Sequence, residues 1–206
     1  MSERDFLEPA AKGHTADVIR AVEAQTAVEV VVAVRRRASH HVGTSLAFGL
    51  GAAVVVLAVM WFSPTVYDVR TMPLDAALAF VLGTALVASV PALRRRLTPR
   101  GFRARSVESA ARAAFDALGM EKTRGRTGLL VFVALFEGEA VLVPDSGLPA
   151  AIVSGPLAAI RERLSVAVAR SDLAGFLTAL ASLGPACAAA LPRQADDENE
   201  LCDDVA

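Results

Sequence analysis

The chain has 206 residues, 54% of them hydrophobic, and a mean hydropathy of +0.46, too apolar for an ordinary soluble fold, so part of it is expected in lipid. Its 21 basic and 22 acidic side chains leave a net charge of -1, which gives no reason to expect nucleic acid as a partner. Two cysteines, Cys187 and Cys202, cannot build a disulfide framework or a cysteine-rich zinc site and read as free thiols.

In chain order, residues 15–25 place Val18, Ile19 and Val22 on one helical face. His14 stands before that helix. Val28–Val34 is a β-branched run whose apolar residues on both faces predict a strand inside a sheet. The first 43 residues carry Glu3, Arg4, Asp5, Glu8, Lys12 and Asp17 and lack the apolar centre of a cleavable signal peptide.

Thr44–Phe62 follows with 19 uncharged residues, about 28 Å as a helix, close to the hydrocarbon thickness of a bilayer. Leu74–Leu93 adds 20 residues with Asp75 alone charged, near its start, and Pro91 in its last turn. Both are predicted transmembrane helices. The loop between them holds one basic residue, Arg70, whereas Arg35, Arg36 and Arg37 precede the first span and Arg94, Arg95, Arg96, Arg100, Arg103 and Arg105 follow the second. That asymmetry predicts a cytoplasmic-membrane protein with both termini inside. The arginine runs read as membrane anchors attracted to anionic lipid, and Trp61 and Tyr67 as an outer interfacial belt. Ala47-xxx-Gly51 and Ala79-xxx-Gly83 suggest close packing within the hairpin or self-association through it.

Beyond the spans, Ser106 is the expected N-cap of a helix ending at Gly119. Gly128–Phe136 and Glu139–Val143 read as a β-hairpin with Glu137-Gly138 as its two-residue link. A helix near 148–168 is interrupted at Gly155-Pro156. Another starts at Ser171 or Asp172, carries Leu173, Phe176, Leu177, Leu180 and Leu183, and breaks at Gly184-Pro185. The first 43 residues are too few to bury a core alone, so residues 1–43 and 94–192 are expected to form one mixed α/β domain, helices covering a small sheet, split by the hairpin at 44–93. The last residues, 193–206, hold six carboxylates and read as an acidic disordered tail.

Thr26-x-x-Glu29-Val30, then Arg126-Thr127-Gly128 leading into an apolar strand, and Asp145-x-Gly147-Leu148 after the second strand, resemble the TPM domain family. Over roughly 14–34 and 106–190 the chain is similar to bacterial members in which two membrane helices interrupt the domain. The resemblance implies an α/β/α sandwich. Its members include lumenal proteins linked to photosystem maintenance and acid phosphatase activity, receptor-accessory proteins and many membrane proteins; some are associated with calcium. Phosphatase members expose the domain outside the cytoplasm, the side opposite to the one the arginines indicate here.

Asp145 is the one acidic position matching a calcium-associated site, but Asp145-Ser146-Gly147 reads first as a turn, with aspartate closing it locally and glycine supplying a positive φ. Calcium takes six to eight oxygens, and no nearby run of carboxylates supplies them. Glu29 reads as a solvent-side or polar-contact residue. Arg124 and Arg126 read as an anion patch or as a solvated turn in which Arg126 pairs a carboxylate. His14, His40 and His41 lack a third ligand at zinc spacing, and Gly49-x-Gly51 lacks the rest of a nucleotide loop. No catalytic residue, cofactor or nucleophile elbow is assigned. The leading expectation is therefore a membrane-anchored domain that binds a still unidentified protein or organises an assembly. The alternative is a divalent-metal-dependent phosphatase or hydrolase.

Overall fold

The structure, a computed structural model, describes residues 6–38, 42–65, 67–90, 93, 97–123 and 125–193. The chain forms two compact units, one from residues 1–39 and 104–206 and one from 40–103. The first unit thus resumes about ten residues later than position 94.

In the larger unit, α1 (Pro9–Glu23) leads to β1 (Glu29–Arg35). α4 (Arg100–Ala117) precedes a short 3-10 turn and the strands β2 (Gly128–Ala134) and β3 (Glu139–Pro144). Four helices close the described chain: α5 (Ala150–Ser154), α6 (Pro156–Ala169), α7 (Leu173–Ala181) and α8 (Leu183–Ala188). The sheet order is β1-β2-β3, with β1 parallel to β2 and β2 antiparallel to β3. A parallel pair needs a long crossover, and the inserted hairpin and α4 lie within it. The protein is therefore mixed α/β with a small mixed sheet.

Period-two alternation divides the core. Val30 and Val32 of β1 join Leu129, Val131 and Val133 of β2 on one face, under Ile19, Val22, Leu157, Ile160, Leu164, Phe176, Leu180 and Leu183. Val31, Ala33, Leu130, Phe132, Ala134 and Val141 pack on the other, against Val107, Ala111 and Phe115 of α4 and against Met120. Because helices cover both faces, β2 is buried at every position.

That double cover explains why β1, read as an interior strand, is an edge strand: apolarity on two faces reports the layers above and below, not a neighbour on each side. Part of its open edge, and a residue just before it, are satisfied locally. The Val30 amide donates to Glu23 Oε1 at 2.9 Å, and the Ala27 amide donates to Leu191 O at 3.0 Å. Blocked edge groups of this kind remove a template for intermolecular pairing.

Several boundaries differ from the sequence expectation. Ser106 lies inside α4 rather than capping it, and His14 lies within α1. The β2–β3 link has four residues, Leu135–Gly138. Leu135 and Phe136 leave β3 and continue along β1, their amides donating to Arg35 O and Arg36 O at 3.0 Å each. Asp172 is the cap of α7, its Oδ1 accepting from Gly175 N at 3.0 Å. The chain breaks at Ser182, and Gly184-Pro185 falls in the first turn of α8, where proline is tolerated.

The smaller unit holds α2 (Val42–Phe62) and α3 (Met72–Ser89), which pack on each other. Gly49 is their contact point. A Cβ there would lie 2.6 Å from Phe80 O and would overlap Thr84 Oγ1. One at Gly83 would lie 3.1 Å from Ala52 Cβ. Gly51 faces open space, so Ala47-xxx-Gly51 does not pack the hairpin, whereas Gly83 of the second motif does. Both helices are long and apolar enough to cross a membrane, and 17% of each apolar window is buried.

Candidate functional site

At the end of the sheet where β1 and β2 begin, two loops meet. The Asp145 amide donates to Gly128 O at 2.8 Å, and the Gly147 amide donates to Arg126 O at 2.9 Å. A Cβ at Gly147 would lie 2.6 Å from Arg126 O and would overlap Gly125 O, so this position admits glycine because the backbones touch. Gly128 is confined in the same way, 2.8 Å from Met120 O to an added Cβ.

The loop before β2 is fixed by Thr123. Its carbonyl accepts from the Arg126 amide at 3.1 Å, and its Oγ1 accepts from the Thr127 amide at 3.1 Å. Arg126 is left-handed, with φ 53°, an uncommon conformation for a non-glycine residue that persists where neighbours over-determine it. Its Nη1 lies 3.5 Å from Glu121 Oε2 and 3.6 Å from Asp145 Oδ1. The guanidinium therefore pairs carboxylates.

The Asp145 side chain is only 5% exposed. Its Oδ1 accepts from the Ser146 amide at 2.6 Å and from Ser146 Oγ at 3.2 Å, the local closure expected of aspartate in a turn. Its Oδ2 is buried and has no hydrogen-bond partner.

The structure brings Arg126, Thr127, Gly128, Asp145 and Gly147 into one contact. Glu29, half-buried, pairs with Gly128 across the sheet, and its amide donates to Thr127 O at 3.3 Å. Thr26 stands at the same end in a different role: its Oγ1 donates to Leu191 O at 2.6 Å, and Thr26 bridges Pro192. It fastens the C-terminal segment to the start of β1. Arg124, His40, His41, Arg94, Arg95, Arg96 and the tail from 194 lie outside the described residues.

Calcium, which the family resemblance implies for some members, does not fit this donor set. One orphaned carboxylate oxygen is available, whereas calcium takes six to eight oxygens at about 2.3–2.6 Å. The other oxygen already faces a guanidinium, which would repel a divalent ion held on the same carboxylate. Among the described residues no group of three or more His, Cys, Asp and Glu side chains could hold a metal.

At the opposite end of the sheet, Glu137 is buried, and its Oε2 accepts from the Ala38 amide at 3.1 Å. Arg37 places its guanidinium carbon 5.2 Å from the centroid of the Phe136 ring, within cation–π range. The residues following β1 are thus tied to the β2–β3 link. Sequence reading treated Glu137 as a turn residue; nothing local signals a buried carboxylate, because its partner comes from 99 positions away. Arg35 and Arg36 are exposed.

The chain is similar in fold to the NMR structure of BA42 protein from the psychrophilic bacterium Bizionia argentinensis, with a TM-score of 0.58 and 16% identity over 97% of this chain and 94% of that one. No protein-family model matches the sequence, and no curated protein matches it. What the comparisons establish for this chain is its fold.

Proposed function

We propose that this is a two-span protein of the cytoplasmic membrane whose TPM-like α/β domain faces the cytoplasm and binds another protein or organises a membrane assembly. One observation carries the membrane reading: the apolar side chains of α2 and α3 point outward. Leu50 and Val55 are each 60% exposed, and Leu74 is 70% exposed. A hairpin in a soluble core would bury such residues, and lipid is the medium that covers them without cost. The arginines flanking the spans support inside orientation and attraction to anionic lipid. A binding role rather than hydrolysis is supported by the use of the Arg126–Asp145 site, whose polar groups hold two loops together.

Sidedness tests the proposal. In a Cys187→Ser variant, a membrane-impermeant maleimide should label Cys202 in spheroplasts only after permeabilisation. Labelling of intact spheroplasts would overturn the orientation and bring forward the phosphatase alternative. Hydrolysis of a phosphomonoester by the pure protein, lost in Asp145→Ala, would overturn the non-enzymatic reading.

A further inference from the structure

We propose that the turn leading into α4 and its first residues form an interfacial anchor, with Leu97 and Phe102 seated at the acyl boundary and Arg105 among the phosphates of an anionic phospholipid surface. The proposal rests on the membrane reading of α2 and α3. Between Asp75 and Glu108 the sequence holds no carboxylate, and the six arginines of that stretch all fall within positions 94–105. Set among those cations, Leu97 is 37% exposed and Phe102 is 56% exposed. Large apolar side chains standing out between cations suit a bilayer surface, where the apolar groups leave water and the cations meet headgroup phosphates. Uniform positive charge selects anionic lipid over a neutral surface.

The chain is fastened where such a surface would lie. Thr98 is 2% exposed, and its Oγ1 shares a hydrogen bond with Thr44 Oγ1, 3.2 Å away. Thr44 opens the uncharged run of α2, so the segment after the second span is held at the level where the first one begins. The helix then starts at once, the amides of Phe102 and Arg103 both donating to Pro99 O at 3.1 Å. Phe102 is thereby four residues from Thr98, a rise of about 6 Å, which matches the depth of a headgroup layer. Arg105, three positions further along the same side of the helix, is exposed, and its long side chain reaches headgroups while its stem stays on apolar groups.

Tryptophan quenching in vesicles, by phosphatidylcholine brominated near the headgroup end of its acyl chains, tests the anchor in the full chain. Trp61 in α2 is the one tryptophan of the sequence and reports the span in wild type. Trp61→Phe combined with Phe102→Trp moves the reporter to position 102, where the exposed ring leaves room for an indole. Leu97→Trp takes its place if that variant does not fold. Quenching of roughly twofold or more is expected at both positions. At position 102 it should increase when phosphatidylglycerol is added, and that gain should disappear at about 1 M salt, where charges are screened within about 3 Å. Arg105→Gln should shrink the gain; an unchanged gain would overturn the role given to Arg105. Quenching of Trp61 without quenching at position 102, or quenching there that ignores phosphatidylglycerol, would overturn the proposal and leave the spans in place. Absence of quenching at Trp61 would overturn the membrane reading and the proposal with it.

Discussion

Ser165 Oγ accepts a hydrogen bond from the Ala140 amide at 3.1 Å and donates one to the Ala140 carbonyl at 3.0 Å. One hydroxyl of α6 thereby satisfies both backbone groups that a residue of the edge strand β3 turns away from the sheet. Ala140 is fully buried, so water cannot replace the hydroxyl at no cost.

Ser165→Ala should therefore destabilise the domain by about 1–3 kcal/mol, the usual cost of leaving buried backbone groups unpaired. The measurement is the unfolding midpoint of the full chain in detergent. A midpoint within about 1 °C of wild type would reject the assigned role of the hydroxyl.

Gly147→Ala should separate the two loops of the candidate site, since the new methyl would meet the carbonyls of Gly125 and Arg126. A loss of about 1–3 kcal/mol is expected from overpacking against backbone. Unaltered stability in chemical denaturation would show that the loops part easily and that their contact does not hold Asp145.

Gly49 and Gly51 offer a paired test in the hairpin. Gly49→Ala forces α2 away from Phe80 and Thr84, whereas Gly51→Ala adds a methyl in open space. The first should lower the thermal midpoint in micelles by several degrees, on the order of 1–3 kcal/mol. The second should leave it unchanged or slightly higher, because alanine is the better helix former. Equal effects would refute the packing assignment.

Burial pushes the Cys187 thiol up to about 11 from its ordinary 9.0. At neutral pH the thiolate, the reactive form, is then about one part in ten thousand. In a Cys202→Ser variant the remaining thiol, Cys187, should resist a thiol reagent in the native protein and react only after denaturation; fast labelling of the native variant would contradict the burial. Folding favours the neutral thiol, so its contribution to stability is complete below pH 9 and is lost as pH rises towards and through about 11. Cys187→Ala should flatten that part of the stability profile.

Periodicity alone made much of the architecture legible. The valines at 30–34 and the apolar run at 128–134 marked strands, and the long uncharged runs marked α2 and α3, because each signal is carried by neighbouring residues with one solvent to satisfy. Asp172 before α7 and the interruption at Gly155 were readable for the same reason. Strand order was not: a strand beneath helices on both faces has the same sequence at an edge as at the centre, and β1 takes the edge. Nor could the sequence choose between Gly49 and Gly51 as the packing glycine, since the rotation of one apolar helix against another is set by which surfaces interlock. The clustering of Arg126, Gly128, Asp145 and Gly147, and the closing of open edges by Glu23 and Ser165, also belong to the tertiary structure. Residues distant in sequence meet there only because the parallel β1–β2 pair and the β2–β3 hairpin bring loop ends together, and that pairing is decided by burial of the whole sheet rather than by any local preference.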